Sequence, residues 1–424
     1  MKFNKLVAVL LAAMLTIVPI GTANGSSGKN IQELRGALVN NNTVPVQTNN
    51  RLQASAASKF NKYTTITEAA DSARAKMVNH ESNITVYIKS TNGDPVKVFY
   101  QFEDELMKET SRGDEGDYLH WDINREYPSY SYRAVRSGKT IYYYYDFKIE
   151  YWYFTTLEQK QQVDQKVKEI IAGFNFTTKT TEYEKIKAIY DYVCSNVKYA
   201  DDIEKDIVYT SWSALFCHEA VCQGYAQLMY RMLKEVGISS RLIPGYGKNA
   251  EIMHGWNIVK IGDYYYNLDA TWDSEYAAAG KEYGYFLKGD NFKDHTRLED
   301  YTTAEFYSAY PMAANDYGAG TPTLSPTSEK SQFSVIKPKF KSVSRKKVKL
   351  VKVAAAKKYR IKIATTKKFK KNVKTVTTKK TTYKLKKLKK KNTYYIKFRA
   401  YTYISGKKVY TQWSKIKQIK NKNN

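Results

Sequence analysis

The chain reads as an α+β protein followed by a β-sandwich, and three observations predict it. Between about Thr64 and Tyr310 some stretches repeat apolar residues at three- and four-residue steps while others alternate them singly, the mixed signature of helices and antiparallel hairpins. From Lys330 onward, short segments alternate apolar or aromatic residues with basic ones and are separated by polar turns, as in a sandwich with one solvated face. A length of 424 residues at 42% hydrophobic content supports two or three buried cores.

Residues 1–23 read as a signal peptide: Lys2 and Lys5 precede the apolar run Leu6 to Val18, and Gly21-Thr22-Ala23 ends in a small residue suited to cleavage. The run is short for a membrane span, so export of a soluble form is expected. Residues 24–57, rich in Asn, Gln, Ser and Ala, read as a flexible lead-in. Residues 58–154 form a small α+β domain: helices over Glu68 to Asn79 and Val96 to Glu109, a strand over Ile84 to Lys89, and a hairpin pairing Tyr130 to Val135 with Thr140 to Tyr151. The run Tyr142-Tyr143-Tyr144-Tyr145 could be a sugar platform, but alternate tyrosines on a strand favour half-buried structure.

Residues 155–310 hold the chemistry. Helices over Thr156 to Ala172 and Thr180 to Val197 lead into a third that opens at Cys222, carries Tyr225, Leu228, Met229, Met232, Leu233 and Val236 at helical spacing, and stops at Gly237. Two strands, His254 to Ile261 and Tyr264 to Asp269, join through Gly262-Asp263, a pair suited to a tight turn with glycine first. Tyr283 to Leu287 fits a further core strand, and Tyr301 to Tyr310 closes the domain. Residues 311–329, with Gly318, Gly320, Pro322 and Pro326, read as a linker without regular structure. Residues 330–424 form the basic sandwich.

Three short words stand in order: Val221-Cys222-Gln223-Gly224-Tyr225-Ala226, His254-Gly255-Trp256-Asn257 and Asp269-Ala270-Thr271-Trp272-Asp273. They supply a thiol, an imidazole and a carboxylate, the parts of an activated cysteine nucleophile. Cys222 lies in the first turn of its helix, where the dipole and unpaired amides favour a thiolate. A two-residue turn puts Trp256 opposite Asp269 and His254 diagonal to it, at roughly 7 to 8 Å between backbones. The carboxylate can orient the ring, and the second ring nitrogen can exchange a proton with the thiol. Taken singly, each residue has a structural reading: a small buried hydrophobe, a satisfied core histidine, a surface acceptor. Order and placement favour catalysis.

The stretch from about Thr180 to Asp290 resembles the transglutaminase-like superfamily of cysteine enzymes, closest to secreted bacterial members, through these words, Tyr183 to Val193 and Gly237-Ile238. The resemblance implies a papain-like core with Cys222 as nucleophile, His254 as base and Asp269 as its orienting partner. It departs at Cys217-His218, where the family more often has glycine; a redox pair with Cys222 or a metal site there is disfavoured, because no further cysteine completes a cluster. The oxyanion stabiliser is read as the Cys222 amide plus a second donor, with Gln223 and Trp212 as candidates. No cofactor or metal is expected. Three cysteines argue against a disulfide framework, and Cys194 sits on the apolar face of its helix.

The net charge of +28 divides sharply: residues 330–424 hold 34 of the 69 basic residues and no acidic one, leaving the rest of the chain at −6. Such a tail attracts polyanions with strong salt dependence. Outside a cell these are cell-wall polymers or membrane head groups; lysine outnumbers arginine and no base-reading motif appears, which disfavours specific nucleic-acid binding. The segments Tyr359 to Thr365, Leu385 to Leu388 and Tyr394 to Tyr401, with Trp413-Ser414, also resemble a fibronectin type III domain. The expected activity is thus acyl transfer from amide bonds of proteins or peptides, slightly favouring hydrolysis by protease or deamidase chemistry. Gln-to-Lys crosslinking is the alternative, and a non-catalytic wall-binding protein a second one.

Overall fold

The computed structural model describes residues 39–43, 60–248, 252–385, 388 and 392–419. The signal peptide expected at 1–23 lies outside them. No helix among the described residues is long and apolar enough to cross a membrane. The chain divides into two compact units. One holds residues up to 261 with 267–287 and 292–296; the other holds 262–266, 288–291 and 297–424.

The first unit opens with a four-stranded sheet of order β1-β3-β4-β2, made of β1 (Val39–Thr43), β2 (Asn83–Ser90), β3 (Ile123–Ser137) and β4 (Thr140–Tyr153). The turn between β3 and β4 is two residues long, with Gly138 at φ +58°. Helices α1 (Ile66–Val78) and α2 (Pro95–Leu106) supply Ala70, Met77, Phe99 and Phe102 to a core shared with Ile88, Tyr145 and Phe147 of the sheet. Thr65 and Glu68 form a reciprocal cap at the start of α1. Tyr145 belongs to that core, whereas Tyr144 packs with Tyr63 and Val135 in another cluster. The tyrosine run is thus structural on both faces of its strand.

Two expectations need correction in this region. Part of the supposed flexible lead-in, Val39–Thr43, is an edge strand parallel to β3, because ladder pairing uses backbone groups and tolerates its Asn-rich sequence. Nor is the α+β region a separate body. Helix α3 (Asp117–Asp122) joins it to the core: the buried Asp117 carboxylate accepts from Arg241 Nε at 2.6 Å and from the Leu242 amide at 2.8 Å.

The core follows through α4 (Leu157–Gly173), α5 (Glu182–Asn196), β5 (Lys198–Tyr199), α6 (Ser211–Phe216), β6 (Glu219–Ala220), α7 (Cys222–Glu235), β7 (Ser240–Gly247), β8 (Ile252–Ile261), β9 (Tyr264–Leu268), α8 (Ala270–Ala278) and β10 (His295–Arg297). The sheet order is β10-β7-β8-β9. Helix α7 is buried on all sides from Cys222 to Leu233, the mark of a central helix. It ends where Gly237, at φ +78°, lets Ile238 N–H reach Leu233 O and Gly237 N–H reach Lys234 O, the paired bonds of a Schellman motif. The strand expected over Tyr283 to Leu287 is absent. The Gly284 and Tyr285 amides donate to the Asp273 carboxylate instead of a ladder, and Leu287 takes a left-handed conformation.

In the second unit, helix α9 (Ala304–Ala309) is followed by the segment expected to be an irregular linker. That expectation is corrected at its end: Ser325, itself buried, caps helix α10 (Pro326–Ser334), where proline fits the first turn, while 311–325 hold no helix or extended strand. Eight strands then form two sheets. One orders β11 (Phe340–Val343), β12 (Lys347–Leu350) and β15 (Thr382–Lys384); the other orders β14 (Lys374–Thr378), β13 (Lys358–Ala364), β16 (Tyr394–Ile404) and β17 (Lys407–Tyr410), with β18 (Lys417–Ile419) paired to β16. Val348 and Leu350 from the first sheet share a core with Ile361, Ile363, Ile396 and Phe398 from the second. This is a sandwich.

Candidate active site

Cys222 is the first residue of α7 and is 2% exposed. Its helix is held against the neighbouring chain by Gly224, where a Cβ would stand 2.8 Å from Thr210 O and 2.7 Å from the Ala220 side chain. Glycine there is a requirement of close backbone approach. His254 lies on β8, opposite Gly245 of β7. The next residue, Gly255, has Trp121 over it, with ring atoms 2.9 Å from where a Cβ would sit. Asn257 ties the strand to α7 through a 3.0 Å bond to Ala226 O.

Asp269 ends the hairpin and also caps α8: Oδ1 accepts the Thr271 and Trp272 amides at 3.0 and 3.3 Å. Its other oxygen, Oδ2, lies 2.8 Å from His254 Nε2. With Nε2 on the carboxylate, the ring has Nδ1 left for Cys222, whose sulfur acts on the imidazole electrostatically. Burial opposes charge on this ring, but the Asp269 carboxylate and the Cys222 sulfur outweigh it and raise His254 to about 10. Burial likewise works against ionisation of Asp269, and the two histidines beside it overcome this, holding its carboxyl far below the usual range. The arrangement suits a thiolate–imidazolium pair beside a fixed carboxylate.

His295 is a functional candidate that the sequence reading missed. Its Nε2 is 3.1 Å from the same Asp269 Oδ2, and its side chain is fully buried. Phe292 stacks on it at 3.8 Å between ring centroids, and Trp256, Trp272 and Tyr285 enclose it. Its signal was weak: a single histidine outside any periodic element, 26 residues after the aspartate. His254, Asp269 and His295 are the one grouping among the described residues that could hold a metal ion, with ligating atoms within 4.8 Å of one another. Hydrogen bonding of two donors to one carboxylate oxygen accounts for that spacing.

The two oxyanion candidates lie elsewhere in their hydrogen bonding. Gln223 Nε2 donates to Trp121 O at 2.8 Å, and Trp212 Nε1 donates to Gln162 Oε1 at 2.6 Å. Cys217 is exposed just past α6, His218 Nδ1 meets Asn196 O at 3.1 Å, and Cys194 is buried with its thiol pushed up, chiefly by burial. A cleft of about 380 Å³ opens at the site, lined by Tyr199, Met253, His254, Trp272, Glu275 and Tyr276 among others. Tyr199 lies beside Cys222, and burial together with the sulfur pushes its phenol up, keeping it a neutral donor.

Residues 172–270 match the family model for the transglutaminase-like superfamily. The chain contains a transglutaminase-like domain. That domain gives the fold class its papain-like core, and its thiol, imidazole and carboxylate make a thiol-dependent enzyme the class it suggests. The chain is similar to Kyphoscoliosis peptidase of Homo sapiens, 27% identical over 135 residues, which are 29% of this chain and 20% of that protein. The Mus musculus protein of the same name is 28% identical over 107 residues, 22% of this chain and 16% of its own length. The chain thus spans a fifth or less of these curated relatives. A crystal structure of a TGase aligns over 40% of this chain and 57% of its own, at 14% identity and a TM-score of 0.25.

Proposed function

We propose that the protein is an exported cysteine enzyme that attacks amide carbonyls of proteins or peptides and completes the reaction with water. The observation that carries this reading is the 2.8 Å contact of His254 Nε2 with the buried Asp269 carboxylate, in a ring that also feels the Cys222 sulfur at the start of α7. The Cys222 thiolate adds to the carbonyl carbon, His254 protonates the departing amine, and the acyl-enzyme is then hydrolysed with His254 taking a proton from water. The Cys222 amide and the Tyr199 hydroxyl are the donors for the oxyanion, since Tyr199 lines the cleft while Trp212 gives its single side-chain donor to Gln162 and Gln223 Nε2 turns to Trp121 O.

Water is favoured over a second amine because the cleft wall includes Glu275, Lys281 and Asp294 as well as aromatic rings, and charged linings keep a site wet. The similarity to proteins named peptidase points the same way. The signal-like segment 1–23 and the acid-free tail support export followed by retention at anionic surfaces such as the cell wall. Incubation with a mixed protein substrate and a primary-amine probe tests the reaction. New chain termini, or ammonia released without amine incorporation, support hydrolysis; amine incorporation, which itself releases ammonia, supports crosslinking. Equal, slow alkylation of Cys222, Cys217 and Cys194 by iodoacetamide at pH ~6 would refute an activated nucleophile.

A further inference from the structure

The C-terminal sandwich carries a second arrangement. On the antiparallel pair β13 and β16, Arg360 stands opposite Arg399 and Lys362 opposite Lys397. Like charges directly opposed destabilise a sheet, and residues 330–424 contain no carboxylate to relieve them. Ile361, Ile363, Ile396 and Phe398 alternate with these cations and fill the core, which puts all four cations on the outer face. There Lys362 Nζ, Lys397 Nζ and Arg399 Cζ lie 5.3, 4.8 and 4.6 Å from the ring centroid of Trp413. Arg399 is also 3.7 Å from the Tyr410 ring, and its Nε is buried without a hydrogen-bond partner. Burial and then the neighbouring Lys362 and Arg399 charges lower Lys397. Four cations crowded on one face, one with an unused buried donor, describe a site short of an anion.

We infer that this face binds a linear phosphodiester polymer without bases, one phosphate bridging Arg360 and Arg399 and the next bridging Lys362 and Lys397. The inference rests on the proposed retention of the tail at anionic surfaces and gives it a defined site. Two residues along a strand span about 6.7 Å, the scale on which phosphates repeat along a three-carbon polyol chain. Nucleic acid is less suited, because base stacking needs an open aromatic face and cations occupy that of Trp413.

The test is titration calorimetry of the full chain with synthetic poly(glycerol phosphate) at several salt concentrations. Lys397→Gln/Arg399→Gln is compared with Lys379→Gln/Lys380→Gln, which removes the same charge from exposed positions. The first pair is expected to weaken binding at least ~10-fold and lower the salt slope by about one to two, and the second to weaken it at most ~2-fold. Arg399→Lys keeps the charge and is expected to bind ~3-fold or more weakly, because the buried donor is lost. Equal losses for both pairs would overturn the site while leaving diffuse attraction standing; an unmodified chain that does not bind would overturn both. Tighter binding to single-stranded DNA of equal charge, or binding only to phosphatidylglycerol vesicles, would overturn the ligand assignment.

Discussion

His254 and His295 set their Nε2 atoms on the same oxygen of Asp269, 2.8 and 3.1 Å away. The other nitrogen of His295 faces Lys293 O at 2.8 Å. The two histidines thus meet at one carboxylate oxygen, and His295 shares the acceptor that His254 relies on. Under the proposed function His295 acts as a positioning residue that competes with His254 for the carboxylate. His295→Gln is expected to raise the proton affinity of His254, moving the alkaline limb of the pH–rate profile up by about one unit. It should also lower kcat roughly tenfold with little change in KM. An unmoved alkaline limb would reduce His295 to packing.

Asp269→Asn keeps the shape of the cap and removes the charge. The reference case of an orienting aspartate lost from a triad predicts a fall in kcat of about 10³ to 10⁴, measured by steady-state kinetics on a peptide substrate. Retained activity would remove Asp269 from the mechanism.

The pH dependence of stability carries a definite sign. A histidine raised to about 10 on folding contributes stability that is full below its unfolded value, about 6.5, and is lost as pH climbs through about 10. Asp269, depressed on folding, contributes above the unfolded carboxylate range and loses that contribution as pH falls through its folded value. Urea unfolding of the parent and of His254→Gln at pH 6, 8 and 10 is expected to show a stability gap that narrows with each step. A gap independent of pH would contradict the raised histidine.

Tyr199→Phe tests the oxyanion assignment, with an expected loss in kcat of about 10²-fold and KM within a small factor. Trp212→Phe should leave kcat close to the parent and act on stability, since its indole N–H serves Gln162. The reverse outcome would exchange their roles.

Gly224→Ala is expected to cost about 1 to 3 kcal/mol in chemical denaturation, because the new methyl meets the Thr210 carbonyl, which is backbone. Stability equal to the parent would show that the loop carrying Thr210 gives way.

Much of this was legible before any coordinates. The helices expected from Thr156 and Thr180 begin within two residues of those positions, behind the Thr156–Gln159 and Thr181–Glu184 caps, whereas the helix expected from Glu68 starts at Ile66, capped by Thr65. The alternation of Ile361, Ile363, Ile396 and Phe398 with basic residues announced a sandwich face. What escaped depends on tertiary partners. Tyr283 to Leu287 has strand composition, yet Asp273 takes its amides; Val39–Thr43 has loop composition, yet pairs through its backbone. His295 gains its meaning only from the carboxylate it meets across the fold.

Asp269 fastens the start of α8 as well as the His254 imidazole, and α8 supplies Trp272, Glu275 and Tyr276 to the cleft wall. If the proposed function holds, one carboxylate couples reactivity to substrate recognition. Side chains along α8 can then change the cleft without touching Asp269, whereas losing Asp269 would release the His254 ring and the cleft wall together.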